Sequence, residues 1–456
     1  MAVTESNQPG PSSGAAPAST RTAREGLNVQ QTILDLQDAI EFVNSRVINR
    51  SEVIEQIFCA LLTAEHALVQ SRTGVAKSLM TEQIFMMFRG ARYFKVQASK
   101  EQQPDTYFGG LDIDELKRGF IRHNTTGSLV ESEFGFIDEI FDANDFTLRA
   151  LLSLLNEREL ILGVQHEHAA IHTVIGATNY LRISEITEAL LDRFTYQSVV
   201  FPDKDPYVQY RISQQYLRHG GRPAVPPKQI DYATLYEASL VCQGRSDKME
   251  ITISPEVVYY TNLVIRYYEE LRNRALPHGN THAAGSDFYI SPRKQMKAFD
   301  LLRAIAFMHG RSMVTQDEVD RLYVLFTTIG LEEERTIWKK ASSTLQHQFG
   351  ATRALEQLRT LLDFKLLLDE IRDDPSLLER PLTAIENIPI KRTLREWARE
   401  TLGMADVNAS YNRRLIDEFL DRFEPATEEV RDLRERLQGY ARVIFNAGGR
   451  EESPFR

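Results

Sequence analysis

A short segment that ends in lysine and serine, set between an apolar strand and a helix, is the feature that most constrains the fold of this chain. Residues 67–69 before it predict a buried strand, and residues 79–88 after it predict a helix. A loop between a strand and a helix N-terminus presents backbone N–H groups to anions, as phosphate-binding loops do. The segment consists of Ser71, Arg72, Thr73, Gly74, Val75, Ala76, Lys77 and Ser78.

This loop departs from the usual phosphate-loop pattern G-x-x-x-x-G-K-[ST], because Ser71 and Ala76 occupy both glycine positions. A second motif strengthens the interpretation. Residues 133–137 predict a buried strand that ends abruptly in Asp138 and Glu139. Two solvated acids at a helix start would give the same pair, but the apolar run before them favours the strand. Together the two motifs make nucleotide hydrolysis the leading interpretation.

The residue types fit the work that ATP hydrolysis requires, which is mostly the placement of charges around the phosphates. Lys77 is predicted to bind the β- and γ-phosphates. Ser78 and Asp138 are predicted to hold Mg²⁺, and Glu139 to polarise the attacking water. The whole segment from Ser71 to Ser78, with Asp138, is the predicted ATP-binding set.

Three further polar residues follow predicted strands or helices. Asn179 ends an apolar strand, where it either caps the next turn or bonds the γ-phosphate. Arg193 follows a predicted helix; it is either a surface charge or a residue that reaches a neighbouring subunit's phosphate. Arg293 follows Ser291 and Pro292, a good helix start. A cation there opposes the helix dipole, so an anionic ligand would explain its placement.

Composition narrows the class of protein. The chain has 456 residues, 42% of them apolar, a formal net charge of −10 and two cysteines. The acidic balance argues against nonspecific DNA binding, and the two cysteines fit a reducing cytoplasm. No stretch is apolar enough to cross a bilayer. Residues 1–26 are rich in Ser, Pro, Gly and Ala and predict a disordered tail.

The remaining sequence divides into three regions. Residues 27–205 alternate strands and helices, which predicts a parallel sheet with helices on its faces. Two insertions, at 120–129 and around the polar run 165–168, have the pattern of hairpins; the histidines at 166 and 168 are either exposed tip residues or metal ligands. Residues 206–338 are mainly helical. Residues 339–456 form a helical extension with two apolar stripes: Leu355, Leu358, Leu362 and Leu366, then Val430, Leu433, Leu437, Tyr440 and Ile444.

The order of these motifs resembles the MoxR family of AAA+ ATPases, and within it the RavA-type branch. Supporting segments are 107–111 and 307–312. The resemblance covers residues 47–330 and implies an α/β ATPase domain, a helical lid and a hexameric ring with ATP at subunit boundaries. It implies chaperone-like remodelling of proteins, often beside a partner with a von Willebrand factor A domain. By motif position, Lys77 and Ser78 are Walker A residues, Asp138 and Glu139 Walker B, Asn179 sensor 1, Arg193 the arginine finger and Arg293 sensor 2.

Three functions remain open on the sequence. The first is an active remodeler of protein complexes. The second is a nucleotide-dependent scaffold or switch with little turnover, suggested by Ser71. The third is a nucleic-acid motor, suggested by the basic group Lys117, Arg118, Arg122 and His123; nearby acids make the local charge almost neutral, so nucleic acid is the least favoured partner.

Overall fold

The computed structural model describes residues 28–72, 76–162, 165–181, 185–276, 288–327, 332–350, 353–380, 382, 407–445 and 455. The predicted N-terminal tail (1–26) and the loop residues Thr73, Gly74 and Val75 lie outside this part of the chain.

The strands that are described form one central sheet and two small pairs. Their bounds are β1 (Ala67–Ser71), β2 (Phe88–Arg89), β3 (Tyr93–Gln97), β4 (Phe134–Asp138), β5 (Glu159–Leu162), β6 (Gln165–His168), β7 (Thr173–Thr178), β8 (Tyr196–Val200) and β9 (Ile230–Asp231). The central sheet is parallel, in the order β3-β4-β7-β1-β8. Gly176 of β7 is in register with Leu68 of β1 and with Ile137 of β4, so these three strands end at the same edge.

Helices surround the sheet and form the rest of the described chain. They are α1 (Val29–Arg46), α2 (Ser51–Thr63), α3 (Lys77–Phe85), α4 (Asp105–Phe108), α5 (Ile113–Lys117), α6 (Asp145–Glu157), α7 (Glu185–Arg193), α8 (Pro206–His219), α9 (Tyr232–Cys242), α10 (Pro255–Ala275), α11 (Pro292–Met308), α12 (Tyr323–Phe326), α13 (Glu332–Gly350), α14 (Ala354–Asp373) and two further helices, Val407–Arg422 and Glu428–Phe445. No helix in the described ranges is long and apolar enough to span a membrane.

The start of α11 follows from its sequence. The Ser291 side chain accepts a hydrogen bond from the backbone N–H of Lys294 (3.4 Å), and Pro292 occupies the first helical position. This confirms the predicted helix start. It also fixes Arg293 in the first turn, at the end of the helix where the dipole is positive.

The hairpin predicted at residues 120–129 is wrong. Residues 118–128 contain no strand, and the chain just before them forms the short helix α5, whose start is capped by the Asp112 carboxylate. A single bridge between Leu111 and His123 closes the insertion. The Asp112 carboxylate satisfies the N–H groups at the start of α5, so this acidic run favours a helix. The turn-rich sequence that follows gives no indication of that helix.

The second insertion is a hairpin, but of the predicted arms, residues 160–163 and 172–175, only the first is correct. Strands β5 and β6 pair antiparallel, with Glu159 opposite His168. The polar run predicted as the tip is therefore the returning strand, and the apolar run after it is β7 of the central sheet. His166 and His168 are both exposed on β6. Within the described residues, no group of three or more His, Cys, Asp or Glu side chains could hold a metal ion.

The helical region after the sheet shares one apolar core with the C-terminal helices. Trp338 of α13 is fully buried, and its Nε1 donates to the Asp320 carbonyl (2.9 Å). Phe349 packs edge-on against Tyr260 of α10, with ring centroids 5.3 Å apart. The division predicted between residues 338 and 339 thus lies inside α13.

The buried face was predicted correctly for one of the two apolar stripes and incorrectly for the other. The second is buried at Val430, Leu433, Leu437 and Tyr440, as its spacing predicts. On α14, Leu366 is 57% exposed, so the buried face is rotated from the predicted one. That face contains Ala354, Leu358, Leu361, Phe364, Leu368 and Ile371. Helix α14 contacts both α10 and the helix Glu428–Phe445, so both stripes pack within the chain.

Candidate nucleotide-binding site

The polar residues predicted to bind nucleotide converge at one edge of the central sheet. Lys77 and Ser78 begin α3, Asp138 and Glu139 stand at the end of β4, and Asn179 follows β7. Because β7 lies between β1 and β4, the parallel strands bring these residues together. Ligands of open α/β sheets bind at this carboxyl edge.

A short chain of contacts joins Lys77, Asn179 and Glu139. The buried Lys77 ammonium donates to Asn179 Oδ1 (2.8 Å) and lies 3.9 Å from Glu139 Oε1. The Glu139 carboxylate accepts the Asn179 backbone N–H (3.1 Å) and also its side-chain amide. The lysine charge is therefore balanced by a carboxylate when only this chain is considered.

Asp138 faces Ser78 across the same edge. The Ser78 hydroxyl lies 3.5 Å from Asp138 Oδ2, and Asp138 Oδ1 accepts the Glu139 backbone N–H (3.0 Å). A hydroxyl and a carboxylate are hard oxygen ligands of the kind that Mg²⁺ prefers. Mg²⁺ commonly uses one or two protein carboxylates together with substrate phosphates, so this pair fits the ion.

The backbone of the loop shows why glycine is usual at one of the two positions where this chain lacks it. Ala76 has φ +64° and ψ 29°, the left-handed region that favours glycine. Ser71, the other residue at a glycine position, is the last residue of β1 and has no positive φ. Its hydroxyl is buried with no hydrogen-bond partner among the described residues. Of the two positions, only Ala76 therefore has a backbone conformation that favours glycine.

A cavity of about 360 Å³ opens beside the start of α3. Ala76 and Leu79 contribute one wall, and α8 contributes another through Ile212 and Tyr216. Its volume is in the range of small-ligand sites. Sequence reasoning missed this wall; the apolar pair Val47 and Ile48, which also lines the cavity, was the available signal.

The two predicted arginines do not join the Lys77 cluster. Arg193 ends α7 and Arg293 begins α11, and both line a second cavity of about 560 Å³. Among the described residues, the two cavities have no lining residue in common. The Asp192 carboxylate lies between the arginines, 3.5 Å from Arg193 Nη1 and 3.9 Å from Arg293 Nη1.

The second cavity carries more positive than negative charge. Its ionisable lining residues are Glu65, Arg158, His168, His172, Asp192, Arg193, Arg245, Arg293, Lys294 and Lys297. Burial lowers the pKa of the Lys294 ammonium, while the Asp192 and Glu334 carboxylates act in the opposite direction. Burial likewise lowers the pKa of His172 to about 4, so this ring is neutral near pH 7. The cavity therefore favours an anion.

Comparison with known proteins finds family matches in two parts of the chain. Residues 34–212 match the family model of the MoxR domain of MoxR–vWA–β-propeller ternary systems, and residues 264–335 match an AAA lid domain. Two uncharacterised proteins of Methanocaldococcus jannaschii are each 35% identical over 167 residues, which is 36% of this chain and 44% and 43% of theirs. The chain thus spans less than half the length of these relatives.

A third relative and a solved structure cover more of the chain. Chaperone MoxR1 of Mycobacterium tuberculosis is 22% identical over 304 residues, covering 65% of this chain and 74% of that protein. The crystal structure of a candidate ATPase from Cytophaga hutchinsonii superposes with a TM-score of 0.54 at 16% identity, over 70% of this chain and 95% of the other; this likeness concerns the fold alone. Residues 34–212 are thus similar to a MoxR domain, and residues 264–335, which follow them, are similar to an AAA lid domain.

Proposed function

We propose that this protein hydrolyses ATP as a chaperone-like AAA+ remodeler of protein complexes, in a ring with ATP at subunit interfaces. The observation that carries the proposal is the Lys77–Asn179–Glu139 cluster beside Asp138 and Ser78 at the carboxyl edge of the sheet.

The roles follow from the chemistry of each group. Lys77 exchanges its contacts with Asn179 and Glu139 for the β- and γ-phosphates. Ser78 and Asp138 would hold Mg²⁺, which would neutralise phosphate charge. The Glu139 carboxylate accepts the proton of the attacking water, and Asn179 orients that water or the γ-phosphate. Arg72, which is exposed, and the loop from Thr73 to Val75 complete the phosphate-binding segment.

The arginines act on a neighbouring copy. Arg193 is the proposed arginine finger and Arg293 the proposed sensor 2; both line the second cavity, which has no described lining residue in common with the cavity beside Lys77. An arginine supplied from another subunit stabilises the charge on the transferred phosphoryl group. A head-to-tail contact of this kind closes into a ring, and we propose a hexamer.

The partners follow from the family match. The matched MoxR domain belongs to ternary systems with a vWA protein and a β-propeller. We therefore propose a von Willebrand factor A-domain partner, a protein client and a cytoplasmic site of action. The C-terminal helices are the proposed recruiting surface, through faces other than the packed stripes. Placement in the RavA-type branch stays a prediction from the motifs.

A nucleotide-dependent switch with little turnover is the second candidate. The observation favouring it is that Glu139 is held by both N–H groups of Asn179, which keeps the general base occupied. By contrast, no observation favours a nucleic-acid motor. The cations of α5 are paired on the same helix, Lys117 with Asp114 and Arg118 with Glu115.

Steady-state ATP turnover and ATP binding by the full chain test the proposal. We expect Mg²⁺-dependent turnover that rises with protein concentration as rings assemble. Binding without turnover would support the switch, and absence of ATP binding would contradict both candidates. Proteins that co-purify with the chain would identify the client.

A further inference from the structure

One carboxylate oxygen joins two arginines that come from different parts of the fold. Asp192 is the second-to-last residue of α7, and its Oδ2 lies 3.5 Å from Nη1 of Arg193, the next residue. The same oxygen lies 3.9 Å from Nη1 of Arg293, in the first turn of α11 in the lid. Sequence reasoning gave Asp192 no role.

The surroundings explain why a carboxylate is needed there. Arg193, Arg293 and Lys294 line the same cavity, and like charges at short distance repel one another. The position of Arg293 also opposes the dipole of α11. The Lys294 ammonium has no ion pair within 4.0 Å among the described residues. Asp192 thus acts on all three cations, with Glu334 as a second carboxylate that acts on Lys294.

The contacts of Asp192 leave the arginines free to bind an anion. Charge-assisted hydrogen bonds are commonly about 2.7–2.9 Å long, so distances of 3.5 and 3.9 Å hold the guanidinium groups without saturating their donors. Arg193 Nη1 also donates to the Ala189 carbonyl (3.3 Å), which fixes its direction. Arg193 Nε is buried and has no partner in the described chain.

We propose that Asp192 is a positioning residue that holds Arg193 of the core beside Arg293 of the lid, so that both reach the phosphate of a nucleotide bound to a neighbouring copy. This inference rests on the proposed function, because it requires the two arginines to act in ATP turnover. It adds a residue that links the core arginine to the lid arginine.

Turnover by Asp192→Asn tests the inference, with Asp38→Asn, an exposed carboxylate of α1, as the matched control. Asp192→Asn removes two partly exposed ion pairs, so we expect turnover at saturating ATP to fall by roughly five-fold. KM for ATP is expected to stay unchanged, because Asp192 does not line the cavity beside Lys77. Asp192→Glu, which keeps the charge, should recover most of the loss.

A double-mutant comparison shows whether Asp192 acts through Arg293. In an Arg293→Ala background, Asp192→Asn should cost roughly two-fold or less, because one of its two partners is gone. An equal fold-loss in both backgrounds would overturn the inference. If Arg193→Ala and Arg293→Ala both lose turnover while Asp192→Asn does not, the inference fails and the proposed function stands. If both arginine variants keep full turnover, the proposed function itself fails.

Phenylglyoxal labelling of arginines, read by peptide mass spectrometry, tests the pairing without turnover. Asp192→Asn should raise the labelling rates of Arg193 and Arg293 and leave Arg222, which lines the other cavity, unchanged. Unchanged rates at both arginines would contradict the positioning role, whether or not the protein hydrolyses ATP.

Discussion

The cluster around Lys77 and the cavity around Arg193 differ in how completely one chain balances their charges. At the Lys77 edge, Asn179 and Glu139 contact the ammonium directly, at 2.8 and 3.9 Å. In the arginine cavity, Asp192 is shared at longer distances between two guanidinium groups, and Lys294 has no ion pair among the described residues. One region is internally paired and the other carries excess positive charge.

From this difference we propose that the two regions complete each other between copies. A triphosphate at the Lys77 edge brings negative charge that this edge alone only partly offsets. The arginine cavity supplies positive charge but has no phosphate-binding loop among its described lining residues. An ATP site formed by the Lys77 edge of one copy and the arginine cavity of the next accounts for both observations.

Loss of the arginine finger is the largest expected effect. Arg193→Ala should reduce turnover by ~10³–10⁵-fold while ATP affinity stays nearly unchanged, because the finger acts on transition-state charge. Turnover and equilibrium ATP binding are the measurements, with Arg149→Ala on the exposed face of α6 as the control. Undiminished turnover would remove Arg193 from the site and break the comparison.

Loss of the general base is expected to cause the second-largest fall in ATP turnover. Glu139→Gln keeps the shape of the side chain but not its charge, so turnover should fall by ~10²–10⁴-fold with ATP binding retained. Glu157→Gln, at the exposed end of α6, is the matched control. If Glu139→Gln turns over ATP at the wild-type rate, the base must be another group.

Relief of backbone strain in the phosphate loop should have the smallest effect on ATP binding. A non-glycine residue in the left-handed region costs about 1–2 kcal/mol, and Ala76 adopts this conformation without nucleotide. Ala76→Gly should therefore raise the free energy of unfolding by about 1 kcal/mol and change ATP affinity by less than about two-fold. Ser71→Gly should not stabilise the protein, because Ser71 ends a strand and has no positive φ. Chemical unfolding and calorimetric titration with ATP measure both variants. A clear gain of ATP affinity in Ala76→Gly would show that the loop rearranges on binding.

The sequence predicted those parts of the fold whose pattern is local. The buried strand that ends at Asp138 was predicted, and the start of α11 at Ser291 and Pro292 was correct. The hairpin at residues 120–129 was wrong, since residues 118–128 contain no strand and the Asp112 cap favours a helix, α5, just before them. The face of α14 was rotated because leucines occur all around that helix, and only tertiary packing decides that Leu366 is exposed.

The candidate site shows the same limit. Motif order identified Lys77 and Glu139, since parallel strands bring their ends together. It could not show that Arg293 lies beside Arg193 and apart from Lys77, because that depends on how the lid packs on the core. The shared contact of Asp192 was equally inaccessible, since an aspartate before an arginine has no distinctive pattern in one sequence.

Mixing two inactive variants tests the central claim most directly. Arg193→Ala keeps an intact Lys77 edge, and Lys77→Ala keeps an intact arginine cavity. With random one-to-one mixing in a head-to-tail ring, about one quarter of the interfaces should be intact, so turnover should recover to about one quarter of the wild-type rate. No recovery, with mixed oligomers verified by native mass spectrometry, would contradict an ATP site shared between copies.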